Sequence, residues 1–447
     1  MRHIRTPKAV LDSLEKEALK ENYHYERLYR NFYNKEFYYM AYKLNKEGNA
    51  AEDIDVAIEN LIEKMRAESY QPSLVKKSSG IYLLEDRLIQ EIIRSLLEAI
   101  YERKFSNSSH SFRVKRTCHT ALQQISNYNG VKWYLDGNIK FYNLDHHILI
   151  NILRKTIKDE KFINLIWKFI KAGYLEDWVF NKTYSGSPKG GIISSILANI
   201  YLNEFDKYVE EYINKVNLEQ RISYTRYANS FLIGIIGSKE DAKAIKSNLK
   251  IYLENNLKLE LSEEKTFITY AENKVRFLGY NISVENSSKA ALYKMDNKKL
   301  QKSVVLRVPQ EIWIKKLKEY NALKIVMKNG KEEWVSCHRT YLKDNDDLAI
   351  FKRYNAEIKG LYNYYRLAKD VSVLNKFYHI MRYSFIKTLG NKYKTSVPKI
   401  IQKFNIDGNL AIRYETKKGT KIYYFYNEGF KRNLKKSDEE IDNQPNL

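Results

Sequence analysis

Residues 224–236 constrain the fold more tightly than any other stretch. Tyr224-Thr225-Arg226-Tyr227 leads into a short turn at Ala228-Asn229-Ser230, and Phe231-Leu232-Ile233-Gly234-Ile235-Ile236 leads out. Two runs of aromatic and β-branched residues around so short a turn predict a β-hairpin. Helical patterns surround it. Ile54, Ile58, Leu61, Ile62 and Met65 recur at three-to-four spacing, as do Leu88, Ile92, Ile93, Leu96 and Ile100. A strand and turn are expected over 131–145, with a helix from His147. The turn Ser185-Gly186-Ser187-Pro188-Lys189-Gly190-Gly191 opens another helix, running to about Tyr208. A further helix starts after Ser238, an N-cap residue type. Thr266 to Tyr270 and Arg276 to Ile282 read as a strand pair. Strands and helices mix to about residue 285 without repeated βαβ units, so an antiparallel sheet backed by helices is expected. Residues 289–345 read as irregular and polar. Helical periodicity returns with Ile358, Leu361, Tyr362 and Tyr365, and again with Leu374, Phe377, Tyr378, Met381 and Phe385. A hairpin is expected near Ile412 to Tyr426.

Charge narrows the partner. Lys and Arg number 77 against 54 Asp and Glu, a net charge of +23. Together with 37 Tyr, this excess points to a polyanion, most simply nucleic acid. Cys118 and Cys337 lie too far apart in sequence to suggest a disulfide framework or a zinc ribbon. No apolar run reaches the length of a membrane span, and the first residues carry no targeting pattern. His110, His119 and His146 read as packed or hydrogen-bonded rather than as metal ligands.

An ordered set of motifs carries a resemblance. Ser109 to Leu122 (SHSFRVKRTCHTAL), Pro188 to Leu202 (PKGGIISSILANIYL), Leu261 to Thr266 (LSEEKT) with Phe277-Leu278-Gly279-Tyr280, and Gly360-Leu361-Tyr362-Asn363-Tyr364-Tyr365 with Arg382 to Leu389 follow one another along the chain. In that order they resemble the fingers, template-gripping, last palm and domain X motifs of reverse-transcriptase-like maturases encoded in group II introns. The resemblance spans roughly residues 20–430. It implies a right-hand fingers-palm fold, an antiparallel sheet backed by helices, followed by a helical thumb-like maturase domain X. The implied divisions are an N-terminal basic and aromatic segment over 1–45, fingers and palm over 46–288, a connector over 289–345, domain X with its terminal hairpin over 346–432, and a disordered tail over 433–447.

Departures from the family pattern decide the expected chemistry. Asn138 stands where the first palm motif carries a metal-binding aspartate, and that motif is about two residues short. Asn229 and Ser230 replace the paired aspartates of the hairpin turn. Two-metal nucleotidyl transfer brings two Mg²⁺ within about 4 Å. At that distance they repel by roughly 17 kcal/mol at an effective dielectric of about 20. Neutral amides and a hydroxyl cannot offset this. Asp136 shares the face of Asn138 on a strand but lies one pleat away.

The expected function is assistance to folding and splicing of group II intron RNA without reverse transcription. The alternative is an active RNA-directed DNA polymerase using non-standard ligands. The expected partner is group II intron RNA within precursor mRNA, with no membrane and with a homodimer admitted. No cofactor of the protein's own is expected, since Mg²⁺ would belong to the RNA. The RNA-facing candidates are Arg113, Lys115 and Arg116, then Lys189, Gly190 and Gly191, and in domain X Arg353, Lys359, Arg366, Lys387, Lys392 and Lys394. The AT-rich codon bias behind the Lys, Asn, Ile and Tyr content fits an organelle, with a plastid preferred to a mitochondrion, or an AT-rich bacterium.

Overall fold

The computed structural model describes residues 5–44, 54–73, 84–141, 144–173, 179–180, 188–189, 191–215, 222–286, 302–416, 419–435 and 441–442. The chain divides near residue 271 into two compact units, with the short piece 125–129 belonging to the second. The first unit opens with α1 (Pro7–Glu17), α2 (Lys35–Leu44), α3 (Ile54–Arg66) and α4 (Leu84–Tyr101). There follow α5 (Cys118–Ser126), β1 (Trp133–Lys140), α6 (His146–Thr156) and α7 (Glu160–Lys171). The short strands β2 (Val179–Phe180) and β3 (Pro188–Lys189) precede α8 (Ser194–Lys215). The unit ends with β4 (Ile222–Tyr227), β5 (Ser230–Ile235), α9 (Lys239–Leu257), β6 (Glu260–Leu261) and β7 (Phe267–Tyr270).

Its sheet runs β4-β5-β1-β6, and β7 pairs with β1. All these pairings are antiparallel. One face of the sheet is backed by α8 and α9, and Phe205, Ile245, Leu249 and Leu253 join Leu135, Phe231 and Ile233 in one core. Local signals fix the helix starts. The Asp145 carboxylate accepts from the His147 and Ile148 N–H groups at 2.9 and 3.0 Å. Ser238 and Asp241 form a reciprocal capping box at the start of α9. Within β1, Gly137 gives way to the Phe231 ring, since a Cβ built there would lie 2.1 Å from it.

The second unit holds β8 (Val275–Phe277), β9 (Tyr280–Asn286) and β10 (Lys302–Arg307), a sheet in the order β10-β9-β8. Then come α10 (Gln310–Glu319), the hairpin β11 (Leu323–Lys328) and β12 (Lys331–Ser336), α11 (Asp347–Tyr365), α12 (Leu374–Lys392) and α13 (Val397–Lys403). The last elements are β13 (Asn405–Ile406), β14 (Asn409–Thr416) and β15 (Gly419–Tyr424). Tyr364 and Tyr365 at the end of α11 donate to the Leu278 and Gly279 carbonyls at 2.8 and 3.0 Å, tying the helix to the β8–β9 turn. Asn355 clamps the terminal hairpin, donating to the Tyr424 carbonyl and accepting from the Tyr426 N–H. Arg339 and Glu357, both fully buried, pair at 2.6 Å, and the guanidinium lies over the Tyr354 ring.

Three expectations need correction. Arg276 to Ile282 is not one strand, because Leu278 and Gly279 both adopt positive φ (44° and 71°) and turn the chain between β8 and β9. Nor does it pair with β7, whose partner is β1. The stretch read as irregular contains β10, α10 and the β11–β12 hairpin, which turns at Asn329-Gly330, again at positive φ. Of the tail expected to be disordered, residues 436–440 and 443–447 lie outside the described residues. Asn433 donates to the Arg366 carbonyl, and Ile441 is buried.

Gly137→Ala should lower stability by about 1–3 kcal/mol through overpacking against Phe231. In urea denaturation, Gly137→Ala combined with Phe231→Leu should recover part of that loss.

Candidate nucleic-acid interface

The turn between β4 and β5 is held from below by a buried ion pair. Arg226, the next-to-last residue of β4, meets Asp206 of α8 at 2.6 Å, and neither side chain touches solvent. Tyr224 donates to the same carboxylate at 2.6 Å. Burial, and then the adjacent Asp206 charge, raise the Tyr224 hydroxyl well above its ordinary pKa. Arg226 also reaches the Ala228 carbonyl at 2.9 Å and the Ser109 hydroxyl at 2.7 Å. The Ser111 hydroxyl accepts from the Ala228 N–H at 2.7 Å. His110 lies beside them, bonded to Thr120 and Gln124, and burial pushes its pKa down to about 4, so it stays neutral.

On this support Asn138 stands directly across from Ser230. The Asn138 amide donates to the Ser230 hydroxyl at 2.9 Å, and its backbone N–H reaches the Thr266 hydroxyl at 3.3 Å. Asn229 turns inward: only 6% exposed, it donates to the Ile139 carbonyl at 2.8 Å. Asp136 occupies the same face of β1 as Asn138, opposite Leu232 and Phe267. Burial raises its carboxyl to about 7.

These residues do not fit a two-magnesium site. Mg²⁺ seeks charged oxygen ligands, whereas here an amide and a hydroxyl satisfy one another and the second amide is spent on a backbone carbonyl. Among the described residues, no group of three or more His, Cys, Asp or Glu is placed to hold a metal.

Two outcomes follow from this geometry. Asn229→Asp replaces a buried donor with an acceptor facing the Ile139 carbonyl, and should cost about 1–3 kcal/mol in urea denaturation at neutral pH. Asp136 has its folded pKa raised above the unfolded value of about 3.9, so the native state loses stability as pH rises from about 4 through about 7. Asp136→Asn should therefore match the parent near pH 4 and exceed it at pH 8. The gain is at most about 4 kcal/mol, less what residual solvent contact screens.

The basic candidates separate into inward and outward groups. Arg113 is inward: its guanidinium binds the Glu102 carboxylate and the carbonyls of Glu102, Ser106 and Ser109, and its side chain is 3% exposed. It serves the fold and has no N–H left for a phosphate. Lys115 is exposed, and Arg116, half-buried, binds among the described residues neutral acceptors on Asn107 and Ser109. Lys189 contributes backbone to the β2–β3 pairing, and Gly190 lies outside the described residues. The Gly191 carbonyl accepts from the Ser194 N–H at the start of α8. In the second unit Arg353 pairs with Glu357, Lys359 with Glu428 and Lys392 with Asp347. Arg366 and Lys387 donate to the Lys435 and Ser336 carbonyls. Lys394 and Lys399 are exposed, with no ion-pair partner among the described residues. Lys403 sits 3.5 Å from the Tyr393 ring centroid in the same corner.

Sequence reasoning missed Asp206, Arg226, Ser109 and Ser111, which set the turn. The available signal was one Asp on the apolar face of α8 and one Arg inside an otherwise uncharged strand, charges that must find each other if both are buried.

Comparison with known proteins agrees with this architecture. Residues 75–282 match the reverse transcriptase (RNA-dependent DNA polymerase) family, and residues 301–441 match the type II intron maturase family. The chain is 36% identical to the group II intron-encoded protein LtrA of Lactococcus lactis subsp. cremoris, over 98% of this chain and 87% of that protein. It is 31% identical to the COX1/OXI3 intron 1 protein of Saccharomyces cerevisiae, over 73% of this chain and 46% of that one. With the mitochondrial nuclear intron maturase 1 of Arabidopsis thaliana it shares 25% identity over 45% of this chain and 40% of that protein. Among the described residues no helix is long and apolar enough to cross a membrane. With a reverse-transcriptase-like body followed by a maturase domain, the chain belongs to the group II intron-encoded maturases.

Proposed function

We propose that this protein binds group II intron RNA and assists its folding and splicing, and that it does not reverse-transcribe. The observation that carries the reading is the neutral hydrogen bond between Asn138 and Ser230 at the position where the family's carboxylates gather metal. The fingers-palm body, kept intact around that position, then acts as a basic scaffold. Domain X supplies a second grip, with Lys394 and Lys399 among its exposed cations that make no ion pair with a described residue. Splicing chemistry and its Mg²⁺ belong to the RNA. The protein shifts the intron toward its active fold by binding that state more tightly. The names of the relatives include a bacterium and a mitochondrion, and they give no support to a plastid over either.

The rival reading is a polymerase that uses Asp136, the carboxylate on the same face as Asn138. Primer extension on an RNA template with Mg²⁺ or Mn²⁺ separates the two. Extension above a protein-free blank would overturn the proposal. Selectivity is read in parallel, by competition between a group II intron and a length-matched unrelated RNA at physiological salt. A preference for the intron supports the proposal, and equal affinity leaves a nonselective RNA binder. Lys394→Glu with Lys399→Glu should weaken intron binding and lower the salt slope by about 1 per lost phosphate contact. Lys359→Glu, at a residue already paired, should do less.

A further inference from the structure

One cavity lies away from the turn. It is an open cleft of about 800 Å³ between α1, α2, α4 and the loop 105–116. Its rim is apolar and exposed, with Leu19 at 68%, Leu44 at 53% and Val114 at 48%. Three carboxylates line it, and each is ion-paired: Glu15 to Arg103, Glu98 to Arg94, which also holds Glu91, and Glu102 to Arg113. Two cations remain. Among the described residues, the Arg116 guanidinium bonds to the Asn107 side chain and to the Asn107 and Ser109 carbonyls and makes no ion pair. Partial burial and then the nearby Arg113 charge work against its positive charge, the Glu102 carboxylate opposing them, and an anion would offset the remainder. Lys115 is exposed without an ion-pair partner among the described residues. The loop holds these residues out at some cost, because Phe112 and Lys115 both lie in the left-handed region (φ 53° and 60°).

We propose that this cleft is a site for unpaired RNA. An unstacked base lies against the apolar rim, and its flanking phosphates meet Lys115 and Arg116. Charge complementarity selects the occupant: among the described residues the lining carries five cations against three carboxylates, and Lys115 and Arg116 set positive charge beside apolar surface. A nucleotide without a pairing partner offers both counterparts, whereas a duplex keeps its bases stacked inside. The site deepens the RNA-binding reading above and rests on it for the class of ligand.

The test uses the full-length protein and two labelled probes, a short oligouridylate and a blunt RNA duplex of the same length. Lys115→Gly removes the charge while relaxing a left-handed backbone position. Arg116→Gln keeps donors for Asn107 and Ser109 without the charge. Val114→Asp places a carboxylate on the rim. Each variant should bind oligouridylate several-fold more weakly, and the two that remove charge should lower its salt slope by about 0.7 each, with duplex binding nearly unchanged. Unchanged oligouridylate binding would overturn the proposal, as would an equal loss on both probes. Failure of the maturase reading would appear separately, as absent intron preference in the parent protein with the single-strand effect of Lys115→Gly intact.

Discussion

The Arg226–Asp206 ion pair is the constraint on which the first unit depends. Both charges are fully buried, and a buried charge is tolerated only when paired and hydrogen-bonded. Here every polar neighbour is recruited. Asp206 holds Arg226 and Tyr224, and Arg226 holds Ser109 and the carbonyl beyond its own strand. Helix α8, the β4–β5 hairpin and the loop at Ser109–Ser111 are thereby fixed to one another. Losing one partner would strand the other in a low-dielectric interior, so the cluster persists or fails as a whole.

This support sits directly beneath the neutral pair of Asn138 and Ser230. The backbone of the turn is braced as it would be for chemistry, while its side chains have become neutral and bond among themselves. A body that must stay rigid to present a surface needs the same bracing as one that must align metals. Arg226, Asp206, Ser109 and Ser111 brace the turn from beneath, while the residues at 138, 229 and 230 carry no charge. The second unit repeats the device: Arg339 and Glu357 are buried together, and Arg353 on the same helix shares the carboxylate.

Much of this was legible in the residues. Apolar periodicity located α3, α4, α11 and α12 because each buries one stripe against a core, and the hairpin at 224–236 was plain from its composition and turn. The β11–β12 hairpin was hidden because most of it is exposed and its apolar alternation is weak, although its Asn329-Gly330 turn is a strong local signal. The break at Leu278-Gly279 was missed because Leu at positive φ has no propensity signature. Arg113 was read as outward because residue type carries no direction. Its partner Glu102 stands eleven residues away across a loop, a contact that only the fold reveals. The neutral residues at the metal position were legible, but their mutual hydrogen bonding was not.

The inward amide of Asn229 has an evolutionary consequence. Asparagine and aspartate codons differ by one nucleotide, so reversion would seem a short step. In this fold the amide has become a donor to the Ile139 carbonyl, and a carboxylate placed there meets an oxygen instead of offering a hydrogen. An aspartate introduced at 229 alone is therefore penalised before any metal can reward it, since Asn138 and Ser230 would still lack charge.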